Sequence, residues 1–189
     1  LIGVTGTNGK TSTTHMINDM LKQLGYTSAI IGTNGVIYNG KVLNTNMTTP
    51  DPVELQKTFR LLINAGVKYV CMEVSAHSIY LDKIEGLQFE LVIFSNLTED
   101  HLDYFKTMDN LVASFKKFVF MTKVAIINGD DELVKKAVNG YEGKIITFGF
   151  DTWNSNPSRR IFSIKIPKCN SPRPDTIHVS FSSDFSIFK

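Results

Sequence analysis

The stretch Gly3-Val4-Thr5-Gly6-Thr7-Asn8-Gly9-Lys10-Thr11 places three glycines, a lysine and several hydroxyl side chains within nine positions. Glycine lets a backbone curl so that several N–H groups converge on one anion. A helix that starts at once adds the positive end of its dipole. In such a loop Lys10 reaches the outer phosphates of a nucleotide and the Thr11 hydroxyl ligates Mg²⁺. Gly6, Thr7, Asn8, Gly9 and Ser12 complete the expected cradle. The usual spacing has a glycine five residues before the Gly-Lys pair; Val4 stands there, and Gly6 is the nearest substitute.

A phosphate loop needs a cation, and the cation needs oxygen ligands. Glu73 ends an apolar run, Tyr69–Val74, and is the best carboxylate for that task. It opens the polar group Glu73-Val74-Ser75-Ala76-His77. Two more polar groups follow apolar runs: Asn96 to Asp103, which contains His101, and Asn128 to Asp131. In open α/β sheets ligands sit beyond the carboxyl ends of the strands, so these groups are expected to share one edge with the phosphate loop.

The elements that would place them are legible. Leu1, Ile2 and Val4 read as a short buried strand, and Met16, Ile17, Met20, Leu21 and Leu24 form a helical stripe closed by Gly25. Ser28–Gly32 reads as a buried strand, and Val36–Leu43 as a hairpin around Asn39-Gly40. Asp51-Pro52-Val53-Glu54 is a helix start, with Leu55, Phe59, Leu62 and Ile63 on its apolar face. Tyr69–Val74, Phe89–Phe94 and Val124–Ile127 are continuous apolar runs, as expected of strands covered on both faces. Helical patterns occupy 108–121 and 130–138, and Ile145–Phe148 reads as another strand. The alternation predicts a three-layer, mostly parallel α/β sheet of phosphate-loop type. Composition shifts near 151: Asp151–Arg160 reads as a loop, and Ile161–Ile166, Thr176–Phe181 and Phe185–Phe188 as strands of a small antiparallel edge. The expected organisation is a core over 1–150 and a loop plus β-rich tail of the same domain over 151–189.

The 189 residues are 42% hydrophobic and 20% charged with a net charge of +2, which suits one globular domain and gives no footprint for nucleic acid. No membrane-length apolar run is visible, so no membrane insertion is expected. Cys71 lies in an apolar run and reads as a reduced core thiol, which fits the cytoplasm; Cys169 and His178 read as surface residues rather than a metal pair.

Five segments in order carry a resemblance. Residues 3–11, Met-Thr-Thr-Pro-Asp at 47–51, Met-Glu-Val-Ser-Ala-His at 72–77, Asn-Leu-Thr-Glu-Asp-His-Leu-Asp-Tyr at 96–104 and Asn-Gly-Asp-Asp at 128–131 resemble the central ATP-binding domain of the Mur ligase family. The resemblance implies an ATP- and Mg²⁺-dependent, ADP-forming ligase of peptidoglycan synthesis that joins an amino acid to a UDP-N-acetylmuramoyl-dipeptide through an acyl phosphate. It implies that Lys10 contacts the β/γ phosphates, that Thr11 and Glu73 hold one Mg²⁺, and that His101 holds a second. Asn96 would lie near the γ-phosphate, and Asn128 and Asp131 on the adenine and ribose side. Thr48, Thr49 and Ser75 match positions that contact the muramoyl-peptide, and Lys83 stands where the family often has Arg. The family commonly carries a carbamylated lysine; counting forward from His101 lands on Phe115, counting back from Val119-Phe120 lands on Lys116, and Lys116 is taken. The family's N- and C-terminal domains are expected to lie outside this chain, which alone should bind nucleotide weakly and not ligate. The alternatives are a folylpolyglutamate synthetase-like ligase and a non-catalytic nucleotide-binding module.

Overall fold

The computed structural model describes residues 1–100 and 102–149, together with the strands Phe162–Lys165 and Thr176–Val179. The chain divides into two compact units, Leu1–Phe148 and Gly149–Lys189.

In the first unit the elements run β1 (Ile2–Thr5), α1 (Lys10–Gln23), β2 (Ser28–Gly32), β3 (Gly35–Tyr38), β4 (Lys41–Leu43), α2 (Pro52–Asn64), β5 (Tyr69–Glu73), α3 (Ala76–Tyr80), β6 (Leu91–Phe94), α4 (Leu102–Phe105), α5 (Met108–Val119), β7 (Val124–Asn128), α6 (Glu132–Ala137) and β8 (Lys144–Phe148). They form one eight-stranded sheet in the order β4-β3-β2-β5-β1-β6-β7-β8. From β2 to β8 neighbouring strands are parallel; the β2-β3-β4 hairpins add an antiparallel edge.

Side chains alternate across the pleat. Ala29, Ile31, Met72, Val74, Val92, Phe94, Ala125 and Ile127 belong to one large apolar cluster, which Leu55 and Leu62 of α2 and Phe115 and Phe118 of α5 fill. The intervening Ile30, Cys71, Ile93 and Ile126 are also buried, so both faces of the central strands are covered. That explains why the central strands read as unbroken apolar runs. Asn18 of α1 fixes the helix to β2 by accepting the Ser28 hydroxyl at 2.9 Å.

β1 lies between β5 and β6, with Val4 level with Glu73 on one side and Ile93 on the other. The chain leaves β1 toward β2 and later crosses back to β6, so β1 marks the point where the order of strands reverses. A crevice is expected at the carboxyl end of that strand.

In the second unit, β9 (Phe162–Lys165) and β10 (Thr176–Val179) pair antiparallel as a separate two-stranded sheet. The expected antiparallel pairing is present there. The expected loop over Asp151–Arg160, the strand at Phe185–Phe188, Cys169 and His101 lie outside the described residues, as does the side chain of His178. No helix among the described residues is long and apolar enough to cross a membrane.

Candidate nucleotide and metal site

The loop after β1 has the curled backbone that its glycines allow. Gly6 sits at φ 135, and a Cβ there would lie 2.1 Å from the Ser95 hydroxyl. Gly9, at φ 85, is the N-cap of α1 and offers no side-chain cap; the first turn of α1 carries no acidic residue either. The N–H groups of that first turn therefore keep their capacity for an external anion.

The loop is braced from β6. Thr7 donates its N–H to the Asn96 carbonyl at 3.0 Å, and Thr98 donates its N–H to the Thr7 hydroxyl at 3.0 Å. The Asn96 side chain accepts the Asn8 N–H at 2.9 Å and donates to the Asn8 carbonyl at 3.0 Å. The Ser95 hydroxyl adds a bond to the Asn8 carbonyl at 2.7 Å.

Thr7, Asn8, Gly9, Lys10, Thr11, Ser12, Thr33, Thr48 and Glu73 line one cavity of about 270 Å³. The Lys10 ammonium donates to the Gly6 and Thr7 carbonyls at 2.7 and 3.0 Å. Burial lowers the Lys10 pKa from its ordinary value, and the carboxylates of Glu73 and Asp100 oppose that shift. Glu73 is only 1% exposed. Its Oε2 accepts the Thr11 hydroxyl at 2.9 Å and the Thr33 hydroxyl at 3.2 Å, and its Oε1 accepts the Thr33 N–H at 3.0 Å. Gly32 makes room for it: a Cβ at Gly32 would lie 2.1 Å from Oε1. A buried carboxylate beside a lysine and a hydroxyl, under a loop rich in N–H donors, is a place for a hard cation and its phosphate.

The structure thus gathers Lys10, Thr11, Glu73 and Thr48 around one cavity. Sequence reasoning missed Gly32 and Thr33. Their signal was a Gly-Thr pair ending a buried strand, but it becomes readable only once β2 is known to lie beside β5.

Other expected site residues spend their polar atoms on the frame. The Thr49 hydroxyl, 3% exposed, donates to the Glu73 carbonyl and accepts the Ser75 N–H, both at 3.0 Å. Ser75 caps α3 by accepting the Ser78 N–H at 3.2 Å. Lys83 pairs with Asp51 at 2.7 Å. Asn128 accepts the Asp130 N–H at 3.0 Å. Asp131 caps α6 through the N–H groups of Leu133 and Val134, and its other oxygen accepts the Leu97 N–H at 2.7 Å. Asn96 clasps the loop.

Lys116 does not line this cavity. It lies in the last turn of α5, the helix that precedes β7. Its ammonium reaches toward the helix end, 5.4 Å from the Phe120 ring centroid. The reason is helical phase: Phe115 takes the inward position, 2% exposed and stacked on Phe94 at 4.8 Å, and its neighbour is turned outward.

Comparison with known proteins adds a family match. Residues 4–167 match the model of the Mur ligase middle domain. A UDP-N-acetylmuramoyl-L-alanyl-D-glutamate–2,6-diaminopimelate ligase of Caldanaerobacter subterraneus subsp. tengcongensis is 40% identical over 150 residues, covering 79% of this chain and 31% of that protein. A solved structure of a ligase of the same name superposes with a TM-score of 0.71 at 28% identity, over 86% of this chain and 33% of that one. The E. coli FolC in complex with DHPP and ADP shares the fold, with a TM-score of 0.58 at 14% identity over 77% of this chain and 41% of that one. The chain therefore spans about a third of the length of the relatives it matches.

Proposed function

The chain belongs to the family of Mur ligase middle domains, and from that premise we propose that it is the nucleotide-handling part of an ATP-dependent, ADP-forming amide ligase of peptidoglycan precursor synthesis. The observation that carries this reading is the Glu73 carboxylate, buried beneath the phosphate loop and bonded to the Thr11 hydroxyl in the cavity that Lys10 lines. The whole protein would act on a UDP-N-acetylmuramoyl-dipeptide, and the names of the relatives point to 2,6-diaminopimelate as the incoming amino acid. The reaction is assigned to the cytoplasm, where ATP is made available.

The donor set suits Mg²⁺. That ion keeps several waters and phosphate oxygens, so one carboxylate and one hydroxyl from the protein suffice. When bound it neutralises charge on the transferring phosphoryl group. The chain's own residues do the rest. The first-turn N–H groups of α1 and the Lys10 ammonium hold the β and γ phosphates in place. Thr11 and Glu73 present their oxygens from fixed positions, and Thr48, which lines the same cavity, is assigned to the muramoyl-peptide. His101 is assigned to a second cation. A substrate carboxylate oxygen then attacks the γ-phosphorus and ADP leaves; the incoming amine attacks the acyl carbon and phosphate leaves.

The test uses the complete protein. ADP release should require both the UDP-N-acetylmuramoyl-dipeptide and diaminopimelate, and Lys10→Ala should lower kcat on the order of 10²-fold or more. Turnover with a folate and glutamate instead would favour the folylpolyglutamate reading. Lys10→Ala without effect would leave a non-catalytic module. The 189 residues alone should form no amide.

A further inference from the structure

Thr33 has no role in the reading above, yet it makes more bonds to the Glu73 carboxylate than any other residue. It is the first residue of the two-residue turn between β2 and β3, and its side chain is exposed. Its N–H donates to Glu73 Oε1 at 3.0 Å and its hydroxyl to Oε2 at 3.2 Å. The same hydroxyl lies 3.1 Å from the Thr48 hydroxyl. A hydroxyl has one proton and two lone pairs. With its proton on Glu73, Thr33 accepts from Thr48, and one hydrogen-bonded line runs Thr48–Thr33–Glu73–Thr11.

The neighbouring residue makes this grip tight. Any side chain at Gly32 would occupy the space of the carboxylate, with Cβ 2.1 Å from Oε1 and 2.6 Å from Cδ. Gly32 is one step beyond the pair Ile31–Met72 in the parallel register of β2 and β5, so it lies level with Glu73. The carboxylate is thus lodged over a bare stretch of β2 and fastened at both oxygens by the residue that follows. The Thr33 N–H holds Oε1 and the Thr11 hydroxyl holds Oε2; the Thr33 hydroxyl is a second donor to Oε2 and links the carboxylate to Thr48.

We propose that Thr33 is a positioning residue: its hydroxyl holds Glu73 Oε2 in place for a divalent cation and ties that carboxylate to Thr48. This rests on reading the cavity as a site for nucleotide and Mg²⁺. The Thr48 segment and the cation ligand are then set by one side chain, so a shift of either is felt by the other.

Calorimetric titration of the whole chain with ADP, at saturating Mg²⁺ and again in EDTA, tests the idea. Thr33→Val keeps the β-branched shape and the backbone N–H but removes the hydroxyl; Thr33→Ser restores it. Thr33→Val should weaken binding in Mg²⁺ about tenfold, equivalent to about 1.4 kcal/mol, and leave the affinity in EDTA unchanged. Thr33→Ser should match the wild type in both conditions. An equal loss with and without the cation would mark a merely structural residue and overturn the proposal, as would no loss, or a serine that fails to rescue. A wild-type chain whose ADP affinity does not respond to Mg²⁺ would instead sink the cation site itself, and the role of Thr33 with it.

Discussion

Replacing Gly6 with alanine asks whether the phosphate loop owes its shape to the strand beside it. Gly6 holds φ 135, and an added Cβ would lie 2.1 Å from the Ser95 hydroxyl and 2.9 Å from the Asn96 carbonyl. Backbone in that region costs a residue with a side chain about 1–3 kcal/mol. The Ser95 hydroxyl must also move, and it bonds the Thr5 and Asn8 carbonyls at 3.1 and 2.7 Å. Its single proton is worth about 1 kcal/mol in one such bond. The sum is a loss of about 2–4 kcal/mol, or about 4–16 °C in Tm for a unit of this size. Ser95→Ala alone should cost about 1 kcal/mol. The double variant is the informative one. Once alanine at position 6 has displaced the hydroxyl, deleting it should cost nothing further. Thermal denaturation of the four proteins closes the cycle. Strictly additive losses would refute the argument, because they would mean that the Cβ and the hydroxyl never compete for the same space.

Other consequences are open to measurement. Burial pushes the Cys71 thiol from its ordinary 9.0 up to about 12. The stability gained by keeping it neutral is complete below pH 9 and is lost as pH climbs from 9 to 12. Denaturant titrations should show Cys71→Ala flattening that decline by about 1.4 kcal/mol per pH unit; parallel curves would contradict it. Asp131→Ala should remove the cap of α6 and the tie to Leu97, lowering stability by about 1–3 kcal/mol in a thermal melt. An unchanged melting point there would show that the carboxylate is not a structural brace.

How much of this was legible beforehand depended on length and neighbours. The limits of β2 follow directly from its apolar run, and the hairpin from Asn39-Gly40, where Asn39 has φ 47 and Gly40 φ 74. The five-residue α3 and four-residue α4 were not foreseen, because so few residues show no helical period. The group around Lys10, Thr11 and Glu73 was readable because Lys10 and Thr11 follow a glycine-rich turn at a helix start and Glu73 ends an apolar strand. Thr33 was not, since its partner lies 40 positions away and strand order is not written in any local pattern. Lys116 shows the limit of a motif count. A motif count fixed its place in the chain to within one residue, but one residue on a helix is about 100° of rotation, enough to swap an inward Phe115 for an outward lysine.

The Asn96 carboxamide engages both the N–H and the carbonyl of Asn8, as a neighbouring strand would. The tip of the phosphate loop is in effect one more rung of the sheet. Its Asn8 amide hydrogen should therefore exchange with solvent only when the Asn96 carboxamide lets go, more slowly than is usual for a glycine-rich turn. Such a loop has its shape before any ligand arrives, so capture of a phosphate would need little further ordering of the chain.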